Sequence, residues 1–323
     1  MESKTYSEII ELLSGYCADK NFLKKQNELA ERIYGSLIYS YTEKHNEIKM
    51  VENMCTSVQG KVYDKMHIYS EKIHGSTSQV SFSMRGNPTR RELADMVLLS
   101  LITKEQDLQY AKIAFVQNKK ENEKNNSWQI DEGQLFLLQY FPTFTGVSGI
   151  FNNKPFKGQE IAFPNTTGSL GNYGLFKSRG EIIVTIASEI SAKMIGHTIR
   201  YSSLVEDSSK YNTKLLTMPS LEIGDTITIV HNQGNISLKY PCLQNTSLSM
   251  NVYDFVRNFT QFNIGEPIMP LCTSQDNDLF KYVNVLIQGT TLKDKLKIKN
   301  SIDEQIYMDN YENLNILCVH LEL

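Results

Sequence analysis

The sequence predicts an α+β protein with a helical N-terminal part, an α/β core and a β-rich C-terminal region. Three observations predict it. Apolar residues recur at helical spacing between charged ones through residues 5–50. Two apolar runs, Arg90–Ser100 and Ala111–Val116, read as buried strands. Short apolar or alternating runs, broken by Gly, Asn and Ser, fill much of the chain beyond residue 166.

In order along the chain, Ile9, Ile10, Leu12 and Leu13, then Leu29, Ile33 and Leu37, mark the helical lead. Val58, Val62, Met66 and Tyr69 extend a helical stripe over about 50–73, with Lys72 and His74 in its last turn and Gly75 ending it. Gln79–Met84 alternates polar and apolar residues, the period of a half-buried strand, and Arg85-Gly86-Asn87-Pro88 is a turn. The strand around Asp95 comes next, then the strand that runs into Gln117-Asn118-Lys119. Glu121–Ser127 is a polar loop, Asp131–Gln134 resembles a capping box, and Leu135–Phe141 supplies a helix that Pro142 stops. Glu160–Phe163 is a short strand. Thr166–Gly180, rich in Gly, Ser, Thr and Asn, reads as a linker or loop, and 181–199 fits helix and strand equally. Thr226–Val230 and Ile236–Tyr240 flank Asn232-Gln233-Gly234-Asn235 as a hairpin, and Val283–Ile287 and Leu314–Leu321 read as strands. The expected division is 1–165 and 166–323, the second part being a recognition or accessory region.

Composition excludes several classes. The chain has 323 residues, 41% of them hydrophobic, and a net charge of -3. Residues 1–165 carry 20 basic and 20 acidic side chains and residues 166–323 carry 13 and 16, so no global basic surface for nucleic acid is expected, although a local basic stripe is compatible with this balance. No apolar run reaches the ~18 residues a membrane helix needs, and Met1–Tyr6 lacks the apolar core of a secretion signal. The expected setting is cytoplasmic, with no membrane partner. The five cysteines form no Cys-x-x-Cys pair and the six histidines no metal spacing.

The chemistry-bearing feature is the pair of strands carrying Asp95 and Gln117-x-Lys119. Side chains alternate across a strand, so Asp95, Val97 and Leu99 share one face, and Gln117 and Lys119 share one face of the next strand. If those faces coincide, a carboxylate, an amide oxygen and an ammonium converge. Gln-x-Lys alone is common, whereas an Asp inside an apolar strand is rare because a buried unpaired carboxylate is costly. The plainer reading has Asp95 cap an element or pair with Arg90 or Arg91, and leaves Lys119-Lys120 as the solvated end of a strand.

This order of helix, three strands, helix and strand, with Asp on the second strand and Gln-x-Lys on the third, resembles the PD-(D/E)xK nuclease superfamily, and the Gln resembles its Mrr-like branch. The resemblance covers about residues 50–165. It implies a restriction-endonuclease-like core, with Asp95 and Gln117 as Mg²⁺ ligands and Lys119 as the catalytic lysine. Many members add a Glu from the helix before the first strand; Glu71, Glu52 and Glu47 are candidates, Glu71 standing first among them. The Pro that often precedes the Asp is Ala94 here. The resemblance further implies hydrolysis of DNA phosphodiester bonds, in restriction or phage defence, and cutting both strands would call for a homodimer.

Other features carry less. Thr166–Gly174 lacks the ending of a P-loop, and Lys177 and Arg179 beyond it are candidate DNA-backbone contacts. Trp128 is expected to pack the following helix rather than stack on a base. Lys293, Lys295, Lys297 and Lys299 alternate as on an edge strand. The rival reading is a non-enzymatic structural or interaction protein, such as a viral assembly protein, which the near-neutral charge and Asn-rich loops also suit. The two part on geometry: a nuclease needs Asp95 and Lys119 in one solvent-reachable cleft.

Overall fold

A computed structural model describes residues 3–73, 78–122, 127–165, 168–177, 180–190, 198–200, 228–232, 235–239, 249–268, 277–298 and 314–323. Its helices and strands run in the order α1 (Ser3–Ala18), α2 (Lys20–Thr42), α3 (Glu47–Ser57), β1 (Gly60–Tyr63), β2 (Met66–Ile73), β3 (Gln79–Met84), β4 (Asn87–Glu92), β5 (Met96–Lys104) and β6 (Asp107–Lys120). Then come β7 (Ser127–Gln129), α4 (Glu132–Tyr140), β8 (Phe144–Gly146), β9 (Glu160–Ile161), β10 (Gly171–Phe176), β11 (Ile182–Ile186) and β12 (Thr198–Arg200). The rest is β13 (Thr228–Asn232), β14 (Asn235–Lys239), β15 (Ser249–Met250), α5 (Val252–Thr260), β16 (Glu266–Ile268), α6 (Asp278–Gln288), α7 (Leu292–Leu296) and β17 (Leu314–Glu322). The chain is an α+β protein, as its sequence predicts.

A nine-stranded mixed sheet forms the centre, in the order β1-β2-β17-β5-β6-β10-β11-β15, with β16 also paired to β6. It draws strands from both sides of residue 165. Every residue of β5 except Lys104 is buried, because both faces are covered. Met96, Leu98 and Ile102 join the core under α1, α2, α3 and α5. Val97, Leu99 and Leu101 join the core under α4, α6, α7 and a second sheet, β4-β3-β8-β9.

Several expectations hold. Gln79–Met84 is β3, and the turn to β4 places Arg85 and Gly86 at φ 53° and 81°. The capped helix is α4, β17 lies where Leu314–Leu321 was expected, and β13 pairs with β14. Asp131 caps α4, its side chain accepting from Gln134 N at 2.8 Å, and it also pairs with Arg91. Asp131→Ala is expected to lower stability by about 1–2 kcal/mol in urea denaturation, mostly through the lost cap, since an ion pair this exposed contributes little. Asp131→Asn, which can still cap, is expected to lose less; equal losses would mean that the cap contributes nothing.

Other expectations are corrected. The stripe over 50–73 is not one helix. α3 ends at Ser57, and β1 and β2 form a hairpin after it, in which Met66 and Ile68 are buried and His67 and Tyr69 are half-buried. Four apolar residues at helical spacing are too few to separate the two periods, and β2 is fixed by β17 from the far end of the chain. The run Arg90–Ser100 is two strands in two sheets. β4 pairs with β3, Leu93 N donates to Ser78 O, and Asp95 sits at the crossing, just before β5. Val283–Ile287 lies in α6, capped by Asn277, and Lys293–Leu296 lies in α7, not on an edge strand. Residues 171–176 of the expected loop are β10, buried throughout. Trp128, by contrast, packs as expected: it stands in β7, fully buried in the core it shares with Leu135 and Leu138 of α4, its Nε1 donating to Phe176 O at 2.9 Å. Gly75, Arg179, Lys299 and the Gln233-Gly234 turn lie outside the described residues.

Candidate active site

The site lies where β5 begins and β6 ends. These strands form a hairpin in which Met96 faces Val116 and Val97 faces Phe115, so Asp95 comes opposite Gln117. The backbone of Asp95 is held on both sides: its N–H donates to Val116 O at 3.1 Å, and its carbonyl accepts from Asn315 N at 3.2 Å. Asp95 Oδ2 accepts from Gln117 Nε2 and from Asn118 N, the latter at 2.7 Å.

The carboxylate that Arg91 meets is Asp131, not Asp95. Lys119 brings positive charge to Asp95, and Glu47, the first residue of α3, brings negative charge. Glu47 Oε2 is 3.8 Å from Lys119 Nζ, and Glu47 Oε1 accepts from Lys120 N at 2.8 Å, which ties the start of α3 to the end of β6. Lys120 points away from the cluster, donating to His45 O at 3.1 Å with its ammonium over the Tyr41 ring. The Lys119 and Glu47 side chains keep 24% and 38% of their exposure, and Asp95 is half-buried, so solvent reaches the cluster.

Burial is the main cause that pushes the Asp95 carboxyl up, to about 6, and Glu47 adds to it. The Asn118 N–H, the Lys119 ammonium and the Gln117 amide oppose that rise by favouring the carboxylate. The structure thus brings together Asp95, Gln117, Lys119 and Glu47. It does not add Glu71, which stands on β2, where its carboxylate accepts from Thr291 N at 3.3 Å and from Thr291 Oγ1 and pairs with Lys295 at 3.0 Å. Glu52 is held by Lys72 and Lys49. Lys177 pairs with Glu181 at 3.3 Å, and Arg179 is outside the described residues.

Tyr173 also belongs here and escaped the sequence reading, because its segment reads as a Gly-rich loop. It stands on β10 directly opposite Gln117, fully buried, and its hydroxyl has no hydrogen-bond partner. The oxygens at hand are two carboxylates and the Gln117 amide, whose Oε1 is likewise buried and unpartnered. Hard divalent cations take such a set, Mg²⁺ keeping several of its waters beside one or two carboxylates. No group of three His, Cys, Asp or Glu side chains suited to a metal occurs among the described residues.

No protein-family model, no curated protein and no solved structure matches the chain. No helix among the described residues is long and apolar enough to cross a membrane.

Proposed function

We propose that the chain is a divalent-cation-dependent nuclease of the PD-(D/E)xK kind that hydrolyses DNA phosphodiester bonds. The observation that carries the reading is the meeting of the Asp95 carboxylate, the Gln117 amide, whose Nε2 donates to it, and the Lys119 ammonium at the end of one hairpin. Part of the surroundings supports it: α3 supplies an acid, β5 and β6 carry the pair, and β10 lies parallel to β6, although seven strands rather than three separate α3 from α4. On this reading Glu47, rather than Glu71, is the helical acid.

Asp95, Gln117 and Glu47 would hold Mg²⁺, which when bound supplies Lewis acidity toward the phosphate. Asp95 must be ionised to do so, and the Asn118 N–H and Lys119 favour that form against burial. Lys119, loosely paired at 3.8 Å, offers its ammonium to negative charge building on the phosphate oxygens. Double-strand cutting would join two copies as a homodimer. A cytoplasmic role in restriction or phage defence follows the resemblance alone.

The test is nicking of supercoiled plasmid in Mg²⁺. Lys119→Ala is expected to slow nicking about 100-fold or more, while leaving the melting temperature close to that of the parent. Equal nicking by both proteins, or none by the parent, overturns the reading.

A further inference from the structure

Among the buried polar atoms associated with one face of the central sheet that have no hydrogen-bond partner are Gln117 Oε1, Tyr173 Oη and Gln134 Nε2, besides Asn284 Nδ2 on α6. Gln117 and Tyr173 stand in register on β6 and β10, and Gln134 lies in the first turn of α4, the helix laid over that face. Buried polar atoms are as a rule paired. Two such orphans in register, on an amide bonded to a half-buried carboxylate and on the tyrosine opposite it, point to a site whose hydrogen bonds are completed in another arrangement of the same side chains. Burial, with the charges of Asp131 and Asp95, pushes the Tyr173 pKa up, so its oxygen keeps its proton and stays both donor and acceptor.

Gln117 is the group that must rearrange. Its Nε2 now donates to Asp95, and its Oε1 is the buried orphan. To present an oxygen beside Asp95 the amide has to turn over, and Nε2 then takes the place of Oε1 and needs an acceptor. A hydroxyl can serve either orientation, donating to Oε1 or accepting from Nε2, whereas a carboxylate at position 117 would present oxygen both ways.

We propose that Tyr173 is a positioning residue that lets the Gln117 amide turn its oxygen toward a divalent cation at Asp95, its hydroxyl exchanging the role of donor for that of acceptor as the amide turns. This rests on the reading of Asp95 and Gln117 as cation ligands.

Calorimetric titration with Mn²⁺ alone tests it in the parent, Tyr173→Phe, Gln117→Glu and the double variant, each first checked for a cooperative thermal transition. Tyr173→Phe is expected to weaken Mn²⁺ binding about tenfold or more beside the native Gln117, in the range seen when a group orienting a ligand is removed. In the Gln117→Glu background, where no turn is needed, the same change is expected to weaken it less than about twofold, a non-additivity that marks coupling. Equal losses in both backgrounds, or no loss in the first, overturn the proposal while leaving the cation site standing. A Tyr173→Phe protein without a cooperative transition overturns it as well, since the hydroxyl is then structural. Absence of Mn²⁺ binding by the parent at millimolar concentration overturns the cation-site reading and this proposal together.

Discussion

Gly171→Ala is expected to lower stability by about 3 kcal/mol, the upper end of what overpacking usually costs. Gly171 opens β10 and is buried against α4. A Cβ there would lie 2.1 Å from Leu138 O, 2.8 Å from Leu138 C and 2.9 Å from Leu138 Cα. All three are backbone atoms of α4, so no side chain can swing aside; the helix itself has to withdraw from the sheet. That withdrawal would uncover Leu135 and Leu138 and carry Asp131, at the N-terminus of the same helix, away from Tyr173. The effect therefore reaches the candidate site, and Mn²⁺ binding should weaken along with stability. Gly35 in α2 is the control, because a Cβ there meets nothing within 4 Å. Gly35→Ala should raise stability by about 0.5–1 kcal/mol through helix propensity. Urea denaturation measures both, and a Gly171→Ala protein as stable as the parent would mean that α4 does not press on β10 as described.

The same contact shows why β10 is hard to read from sequence. Gly171-Asn172-Tyr173-Gly174 has the composition of a loop, yet both glycines are there for close approach. Gly171 admits the α4 backbone, and at Gly174 a Cβ would lie 2.3 Å from the Asn118 amide oxygen. What makes the segment a strand is its pairing with β6 and β11, and its burial comes from α4 on one side. β2 is similar: its partner β17 is the last strand of the chain, so the local pattern of Val58, Val62, Met66 and Tyr69 favours the wrong period. α6 is apolar over Val283–Ile287 because it is buried against the large core, and a short apolar run carries no period of its own. By contrast, β5 and β6 form a hairpin closed by the two residues Glu105 and Gln106, so the facing of Asp95 and Gln117 depends on local sequence. That is why the core of the site was legible while the choice of its helical acid was not. Choosing Glu47 over Glu71 requires knowing that α3 stops at Ser57, and that stop is imposed by the hairpin of β1 and β2.

Asp95→Asn is expected to make the cation-free protein more stable at pH 7, by about 3 kcal/mol. The carboxyl is pushed up to about 6 in the folded protein, first by burial, and returns to its ordinary value near 3.8 in the unfolded chain. Between those values the folded protein holds a proton that the unfolded chain has released. Stability therefore falls as pH rises through that window and stays lower above it. Asn does not titrate, so the variant should lack this slope. Its Oδ1 can take the place of Oδ2 and accept from both Asn118 N and the Gln117 amide, so the exchange keeps the bonds that fix the loop. The two proteins should be equally stable below about pH 4 and part as pH rises toward 6, which urea denaturation across that range measures without any cation. Saturating Mn²⁺ at pH 7 should then close the gap by stabilising the parent alone, since a cation that binds only the folded state adds to stability in proportion to the logarithm of its concentration. An Asn variant less stable than the parent at neutral pH would show that Asp95 is an ordinary structural acceptor, satisfied where it stands. A charge held at this position against the cost of burial is instead what a site built to bind a cation should display.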